Sequence, residues 1–289
     1  MFPADFALTS PVLSPDAGVS VRWLGTAGFE IRAEGQVLLF DPYLTRASLT
    51  RCIVAPLTPD VAAITRTIPR ADAIVVGHTH FDHVLDVPTL ARLTGARVLG
   101  SSSAARLCRM DGVPAAQITD VQSALRSGVY ETEVGPFRLT FYPSAHSKLL
   151  FGKRVPMAGE IDDCDAVPLR TEHYRCGAVF AVEIEVSGRT LFHLGSAELV
   201  EASIPPREVD LLLFTVAGWQ QTPRVVERAL SRLSPRAVLL HHWDDFFRPL
   251  HEGAHALPGV QLPRIVDRFH ATTRDVRVGT VPLLSVTQL

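Results

Sequence analysis

His78-Thr79-His80-Phe81-Asp82-His83 is the stretch of the 289-residue sequence that decides the fold. It holds three imidazoles and one carboxylate, and it directly follows the apolar run Ala73-Ile-Val-Val76 and the single residue Gly77. A short apolar run that ends at a glycine is typical of a buried strand followed by a turn. The pattern therefore predicts a rigid sheet that presents a polar loop at the end of one strand.

Imidazole and carboxylate groups together suit zinc, manganese or iron. Two histidines at positions i and i+2, followed by an adjacent Asp-His pair, can be divided between two neighbouring ions. A lone histidine is usually an ordinary polar residue, but four such groups close together after a core strand are not expected by chance. The motif predicts one or two bound Zn²⁺ ions, with Mn²⁺ or Fe²⁺ as alternatives.

Strand and helix patterns alternate along the whole chain. Strands are expected near residues 20–24, 29–32, 36–40, 73–76, 97–99, 137–142, 178–186, 190–194, 210–214 and 237–240. Helices are expected near residues 59–67, 87–93 and 102–110, and after Thr222-Pro223, where proline suits the first helical turn. Two halves, each a β-meander with helices, predict an α/β four-layered αββα sandwich.

The predicted domain organisation is an N-terminal extension at residues 1–18 and a single catalytic domain at residues 19–289. One long stretch, residues 147–176, is rich in Pro, Gly and Asp and has no clear periodicity. Because it is too long for a passive connector, we predict that it forms a lid or binding loop.

The bulk composition excludes some functions. The 28 basic residues nearly balance the 30 acidic ones, so no global field draws the protein to nucleic acid. Four cysteines without a CxxC pair favour free thiols in a reducing compartment. The sequence shows no signal peptide and no apolar run long enough to span a bilayer. We expect a cytoplasmic protein with a small-molecule substrate, and a homo-oligomer remains open.

The sequence resembles the metallo-β-lactamase superfamily, whose HxHxDH signature it matches without a gap. Gly25-Thr26-Ala27-Gly28 and Phe40-Asp41-Pro42 resemble the opening hairpin of that family. The resemblance covers nearly the whole chain and is greatest to the branch of L-ascorbate-6-phosphate lactonase-like hydrolases. It implies the metallo-β-lactamase fold and a metal-dependent hydrolase.

The resemblance also implies two sets of metal ligands. They are His78, His80 and His146 for the first ion, and Asp82, His83 and His242 for the second. His241 competes with His242 for the last position. We favour His242 because family members tend to place an aromatic residue after this ligand, and because strand alternation sends the two histidines to opposite faces.

One position departs from the family pattern. Ser196 stands where family members usually supply a bridging aspartate, and its hydroxyl cannot replace a carboxylate. The second ion is therefore expected to bind more weakly or not at all. Glu198, Asp244 or Asp245 could substitute, and Asp41 could fix the tautomer of a ligating histidine or merely form a turn before Pro42.

The substrate is expected to contact the loop that follows His146. Lys148, Lys153, Arg154 and His173 are candidate substrate-binding residues, the first three for a phosphate or carboxylate group. The apolar residues of the same loop could instead form a lid for an acyl or lipid group. These residues are Leu149, Leu150, Phe151, Val155 and Met157. The sequence does not choose between the two.

The mechanism implied is attack by a metal-bound hydroxide on an ester, lactone or phosphodiester bond of a small or lipid-like molecule. Asp82 would orient the hydroxide and accept its proton, and His242 or His241 would stabilise the developing oxyanion if it is not fully engaged as a ligand. The alternatives are a phospholipase D-like phosphodiesterase or nuclease, and a non-catalytic metal-binding sensor. Ser196 is the residue that keeps the sensor hypothesis open.

Overall fold

The computed structural model describes residues 7–8, 18–126, 128–149, 152–162, 167–273 and 276–289. Most of the predicted N-terminal extension, residues 1–18, lies outside the described residues. Leu150 and Phe151 of the predicted lid, and Cys164, lie outside them as well. The three cysteines within them, Cys52, Cys108 and Cys176, are free, as their spacing predicts, and all three are buried.

The described residues form fourteen strands and eight α-helices. The strands are β1 (Ser20–Gly25), β2 (Gly28–Ala33), β3 (Gln36–Phe40), β4 (Ala73–Val75), β5 (Arg97–Gly100), β6 (Ile118–Asp120), β7 (Tyr130–Val134), β8 (Phe137–Ser144), β9 (Val179–Val186), β10 (Arg189–Leu194), β11 (Arg207–Thr215), β12 (Leu233–His241), β13 (Arg277–Gly279) and β14 (Val286–Gln288). The helices are α1 (Leu49–Val54), α2 (Val61–Thr67), α3 (Phe81–Val84), α4 (Val87–Thr94), α5 (Ser102–Met110), α6 (Val121–Ala124), α7 (Val225–Leu230) and α8 (Leu262–Thr272).

The strands form two seven-stranded sheets, in the orders β14-β1-β2-β3-β4-β5-β6 and β13-β12-β11-β10-β9-β8-β7. Each sheet joins an antiparallel half to a parallel half. In the first sheet, β14, β1, β2 and β3 are antiparallel and β3 to β6 are parallel. In the second, β7 to β10 are antiparallel and β10 to β13 are parallel. The polar loops that follow parallel strands therefore collect at one edge of each sheet.

Alternation along the strands separates two apolar layers. Leu38 and Phe40 of β3 belong to a core shared with the second sheet, whereas Leu39 packs with the residues of α2, α4 and α5. On the far side of the second sheet, Phe269 of α8 meets Phe214 of β11 with ring centroids 5.2 Å apart. Helices thus cover the outer face of both sheets, and the predicted αββα sandwich is confirmed.

Several elements were not predicted from the sequence. The edge strand β7, Tyr-Glu-Thr-Glu-Val, contains no fully buried residue and so carries little hydrophobic signal. Helix α3 begins inside the polar motif, where we expected only a loop. Helix α8 buries Leu262, Ile265, Val266 and Phe269 at helical spacing, a pattern that we overlooked. Within the described residues, no helix has the length and apolar character needed to cross a membrane.

The core between the sheets can be tested with a matched pair of substitutions. Leu38 is fully buried, whereas Leu93 of α4 is 54% exposed. Leu38→Ala should lower the free energy of unfolding by about 2–5 kcal/mol, because it leaves a cavity between the sheets. Leu93→Ala should change it by less than about 0.5 kcal/mol. Chemical denaturation measures both, and equal losses would contradict the packing described.

Candidate metal centre

The backbone of the motif changes from extended to helical at Phe81, and this change separates its candidate ligands into two pairs. Residues 76–80 are not helical, and helix α3 begins at Phe81, with His80 as its extended N-cap residue (φ −65°, ψ 152°). His78 and His80 lie two residues apart and approach each other, whereas Asp82 and His83 sit in the first helical turn and are buried. One short segment thereby serves two neighbouring groups of side chains.

The first group consists of His78, His80 and His146, whose candidate ligand atoms all lie within 4.8 Å of one another. His78 Nε2 lies 3.1 Å from His80 Nδ1. His146, which follows β8 at the edge of the second sheet, places its ring centroid 4.8 Å from that of His78 and 4.6 Å from that of His80. The structure therefore brings together the three residues proposed for the first ion.

The second group consists of Asp82, His83 and His242, again within 4.8 Å. Asp82 Oδ2 lies 3.3 Å from His242 Nε2 and 3.8 Å from His83 Nε2. The ring centroids of His78 and His83 are 3.8 Å apart, so the two groups adjoin. The structure also brings together the residues proposed for the second ion.

In three of the rings, the nitrogen that points away from the ligand groups, here called the outer nitrogen, is hydrogen-bonded to an oxygen of the protein. His80 Nε2 lies 2.9 Å from the Pro156 carbonyl oxygen, and His146 Nδ1 lies 2.7 Å from the carbonyl oxygen of Ser147. His83 Nδ1 lies 2.9 Å from Asp41 Oδ2. Because carbonyl and carboxylate oxygens only accept, these ring nitrogens donate, and in the neutral ring the other nitrogen, which faces the groups, carries a lone pair. This is the tautomer that a metal ligand needs.

Burial keeps the first group of imidazoles neutral. It lowers the pKa of His80 to about 4 and that of His146 to about 3, and it lowers the pKa of His78 well below its ordinary value. Burial opposes ionisation of Asp82, but His83 and His242 outweigh it and hold the pKa of that carboxyl below its usual range. Neutral imidazoles beside an ionised carboxylate are the protonation states that bind a dication. The residues present therefore fit a metal ion.

The carboxylate of Asp41, fully buried at the end of β3, ties the motif to both sheets. Its Oδ1 accepts a hydrogen bond from the backbone N–H of Gly77 (2.7 Å), and its Oδ2 accepts from His83. A Cβ atom at Gly77 would lie 3.0 Å from Oδ2, and one at Gly195 would lie 3.1 Å away. Glycine at both positions thus gives this carboxylate the room it occupies beside His83.

His242 is held by the hairpin between β1 and β2. Its backbone is left-handed (φ 56°), and its N–H donates to the carbonyl of Thr26 (2.8 Å). The N–H of Thr26 donates to Asp244 Oδ1 (2.9 Å), and Asp244 Oδ2 lies 2.8 Å from the guanidinium of Arg46. That Oδ2 lacks hydrogen-bond geometry, so the contact with Arg46 is electrostatic. Gly25 leaves the space that the guanidinium fills, since a Cβ there would overlap it.

His241, the competing residue, lies elsewhere. Its ring stacks on that of His193 at 5.3 Å between centroids and 11° between planes, and Phe29 packs edge-on at 5.0 Å. Burial, with His193 beside it, lowers the pKa of His241 well below its ordinary value. His241 joins none of the candidate ligand groups among the described residues, whereas His242 joins the second.

No further acid completes the second group within the described residues. Ser196 follows β10 and accepts a hydrogen bond from the Ser147 N–H at 3.0 Å, so its hydroxyl steadies the backbone beside His146. The three proposed substitutes each pair with an arginine instead. Glu198 contacts Arg228 (2.7 Å), Asp244 contacts Arg46, and Asp245 contacts Arg248 (3.3 Å).

A cavity of about 400 Å³ opens over both groups. Its walls include residues that the sequence did not single out, namely Phe246, Phe247 and residues 257–260. The adjacent Phe-Phe pair in a polar segment was the one sequence signal for this wall. Lys148, Lys153 and Arg154 are exposed and do not line the cavity. His173 does not line it either, because its 3₁₀ turn is bonded to Cys52 at α1 through Thr171.

Residues 36–243 match the family described as the β-lactamase superfamily domain. The chain belongs to the metallo-β-lactamase superfamily. Every candidate ligand lies within the matched residues, and the family predicted from the motif is confirmed. The lactonase-like branch stays a prediction.

Superfamily members with related sequences are named metal-dependent hydrolases of the UPF0173 group. One from Cupriavidus necator is 32% identical over 225 residues, which cover 75% of this chain and 70% of the relative. Another from Cupriavidus taiwanensis is 30% identical over 276 residues, 86% of either chain. The chain is thus a member of a superfamily of metal-dependent hydrolases, as the motif predicts.

Solved structures of the superfamily share the fold at low sequence identity. Igni18, a metallo hydrolase from Ignicoccus hospitalis, has a TM-score of 0.55 and 15% identity, covering 94% of this chain and 99% of its own. An isothiocyanate hydrolase from Delia radicum gut bacteria has a TM-score of 0.52 and 14% identity, with 93% and 99% coverage. At such identities the likeness concerns the fold alone.

The role of Arg46 can be tested by a double-mutant cycle with Asp244. Both side chains are buried, at 3% and 1% exposure. Arg46→Met alone should lower the free energy of unfolding by about 3–5 kcal/mol, because it leaves the Asp244 carboxylate without its cation. Adding Asp244→Asn should restore part of that loss. Additive losses in urea denaturation would show that the two residues do not interact.

The first ligand group can be tested by metal titration. His80→Ala should abolish the uptake of Zn²⁺ at the first site, because two imidazoles remain of the three. His270→Ala, at an exposed histidine of α8, should bind metal like the unmodified protein. Metal content after dialysis and calorimetric titration measure both variants. Unchanged metal stoichiometry in His80→Ala would count against the ligand assignment.

Proposed function

We propose that this chain is a hydrolase that binds one or two divalent ions and cleaves an ester, lactone or phosphodiester bond of a small molecule. The observation that carries the proposal is the orientation of the rings of His80, His83 and His146. Each donates its outer N–H to an oxygen of the protein and turns its other ring nitrogen towards the cavity floor. The hydrolase names of the relatives agree with it.

His78, His80 and His146 are proposed to hold the first ion. Three neutral imidazoles suit Zn²⁺ and leave an open position for water or substrate. Asp82, His83 and His242 are proposed to hold the second ion. Ser196 contributes no negative charge there, so we expect the second ion to bind more weakly than the first.

When bound, a divalent cation lowers the pKa of its water to about 7 and polarises a carbonyl or phosphoryl oxygen. Asp82 lines the cavity floor and is proposed to accept a hydrogen bond from the attacking water, which directs the water towards the substrate. His242 lies beside Asp82, and in the protein with one ion bound at the first site its free ring is proposed to donate to the oxygen that gains charge. The Ser196 hydroxyl, whose oxygen already accepts from Ser147, keeps its proton for donation into the cavity.

The reaction adds one water molecule across the scissile bond. The water oxygen bonds to the carbonyl carbon or phosphorus while the bond to the leaving oxygen breaks. One proton of the water goes to the leaving oxygen, and the other ionises from the acid product. No oxidant or reductant is involved.

A metal-binding sensor is the second candidate, and Ser196 is the observation that favours it. A site without the bridging carboxylate could hold an ion and a ligand without turning over. A nuclease is less favoured, because no arginine or lysine lines the cavity within the described residues.

Metal dependence and turnover together test the proposal. The purified protein should carry one to two equivalents of Zn²⁺ and hydrolyse at least one of p-nitrophenyl acetate, a simple lactone and bis(p-nitrophenyl) phosphate. A chelator should abolish this activity, and added Zn²⁺ or Mn²⁺ should restore it. Asp82→Asn should lower kcat about 100-fold or more. Asp267→Asn, at an exposed position of α8, should leave kcat unchanged. A folded, metal-loaded protein that is inert towards all three substrates would favour the sensor.

A further inference from the structure

We infer that the substrate has an uncharged, apolar body. The identity of the reacting bond rests on the proposed function. The chemistry of the body rests on the walls of the cavity above the two ligand groups.

One wall of the cavity is aromatic. Phe246 and Phe247 follow Asp245, and their ring centroids are 4.5 Å apart. The ring centroid of Phe81, a residue of the motif itself, lies 6.2 Å from that of Phe246 and 6.4 Å from that of Phe247. Phe246 also meets the ring of His242 edge-on at 5.4 Å. A hydrocarbon group on this wall would therefore lie directly beside the second ligand group.

Most of the other apolar lining is aliphatic. Leu149, Pro156 and Met157 come from the predicted lid, and Pro156 also accepts the hydrogen bond from His80. Val216 and residues 257–260 complete the enclosure. The side chain of Gln220, which also lines the cavity, donates to the Gly259 carbonyl at 3.2 Å and joins two of these segments. The volume of about 400 Å³ suits a small ligand.

The charges at the cavity exclude an anionic body. Among the described lining residues, Asp82 is the one carboxylate, and there is no lysine or arginine. Lys148, Lys153 and Arg154 are exposed outside it. Bound cations would attract an anion only at the reacting bond on the floor. A second charge further up would lose its hydration and gain no partner.

Binding of unreactive amides tests the body of the ligand separately from catalysis. N-methyloctanamide should bind the purified protein with a Kd about tenfold or more below that of N-methylbutanamide, because four further methylenes are buried. The analogue of N-methyloctanamide that ends in a carboxylate should bind about tenfold or more weakly than the neutral amide. Isothermal titration calorimetry measures all three.

Leu149→Asn should remove part of the chain-length preference, since Leu149 lines the cavity and is 40% exposed, so that the substitution is tolerated. Leu93→Asn is the matched control, because Leu93 is 54% exposed and lies outside the cavity lining. It should leave all three Kd values unchanged. Equal affinities of the two neutral amides for the unmodified protein would overturn the inference, and so would tighter binding of the carboxylate to protein stripped of metal, where no cation can hold that group on the floor.

Hydrolysis distinguishes the failure of this inference from the failure of the proposed function. p-Nitrophenyl octanoate should have a higher kcat/KM than p-nitrophenyl acetate. A higher kcat/KM for p-nitrophenyl acetate would leave the hydrolase activity intact and overturn the inference of an apolar body. A third outcome is that the metal-loaded protein binds the longer amide more tightly and yet cleaves none of the substrates. That result would support the apolar ligand and contradict the proposed hydrolase activity.

Discussion

A single buried carboxylate, that of Asp41, sets the arrangement on which the candidate centre depends. It joins the end of β3 to the loop after β4 by accepting from Gly77, and it fixes the ring of His83. The glycines at 77 and 195 bring the first and the second sheet close to the same group. A fully buried carboxyl group is tolerated there because each of its two oxygens has a hydrogen-bond donor. The two sheets are thereby aligned where the candidate ligands must converge.

Two other candidate ligands, His80 and His146, are oriented by hydrogen bonds to loop residues, as His83 is by Asp41. His80 is oriented by the carbonyl of Pro156, and His146 by that of Ser147, both in the predicted lid. The segment that encloses the substrate cavity therefore also selects the tautomer of the candidate ligands. Pro156 and Ser147 line the cavity and also orient the rings of His80 and His146. A ligand that moves these two residues would therefore also change the orientation of the candidate ligands.

Much of this could be read from the sequence because its signals are local. The HxHxDH run follows a buried strand, and the alternation of strands and helices predicts the sandwich. His146 and His242 were reached only through the family resemblance, and their roles as ligands stay predictions. The aromatic wall of the cavity and the Arg46–Asp244 pair were missed, since residues distant in sequence meet there and no period marks them. The three basic residues of the predicted lid lie close together in sequence and suggested a substrate-binding cluster. In the structure they are exposed to solvent and do not line the cavity.

The absence of a side chain at position 25 restricts how this protein can change by single substitutions. Any larger residue there would occupy the place of the Arg46 guanidinium, which faces Asp244 and, through Thr26, the backbone of His242. Replacing Arg46 first would leave the buried carboxylate of Asp244 without its cation. Both first steps are costly, so positions 25, 46 and 244 form an epistatic unit that can vary only through simultaneous replacement. The order of mutational steps open to the protein is thus constrained by residues that hold His242 from behind.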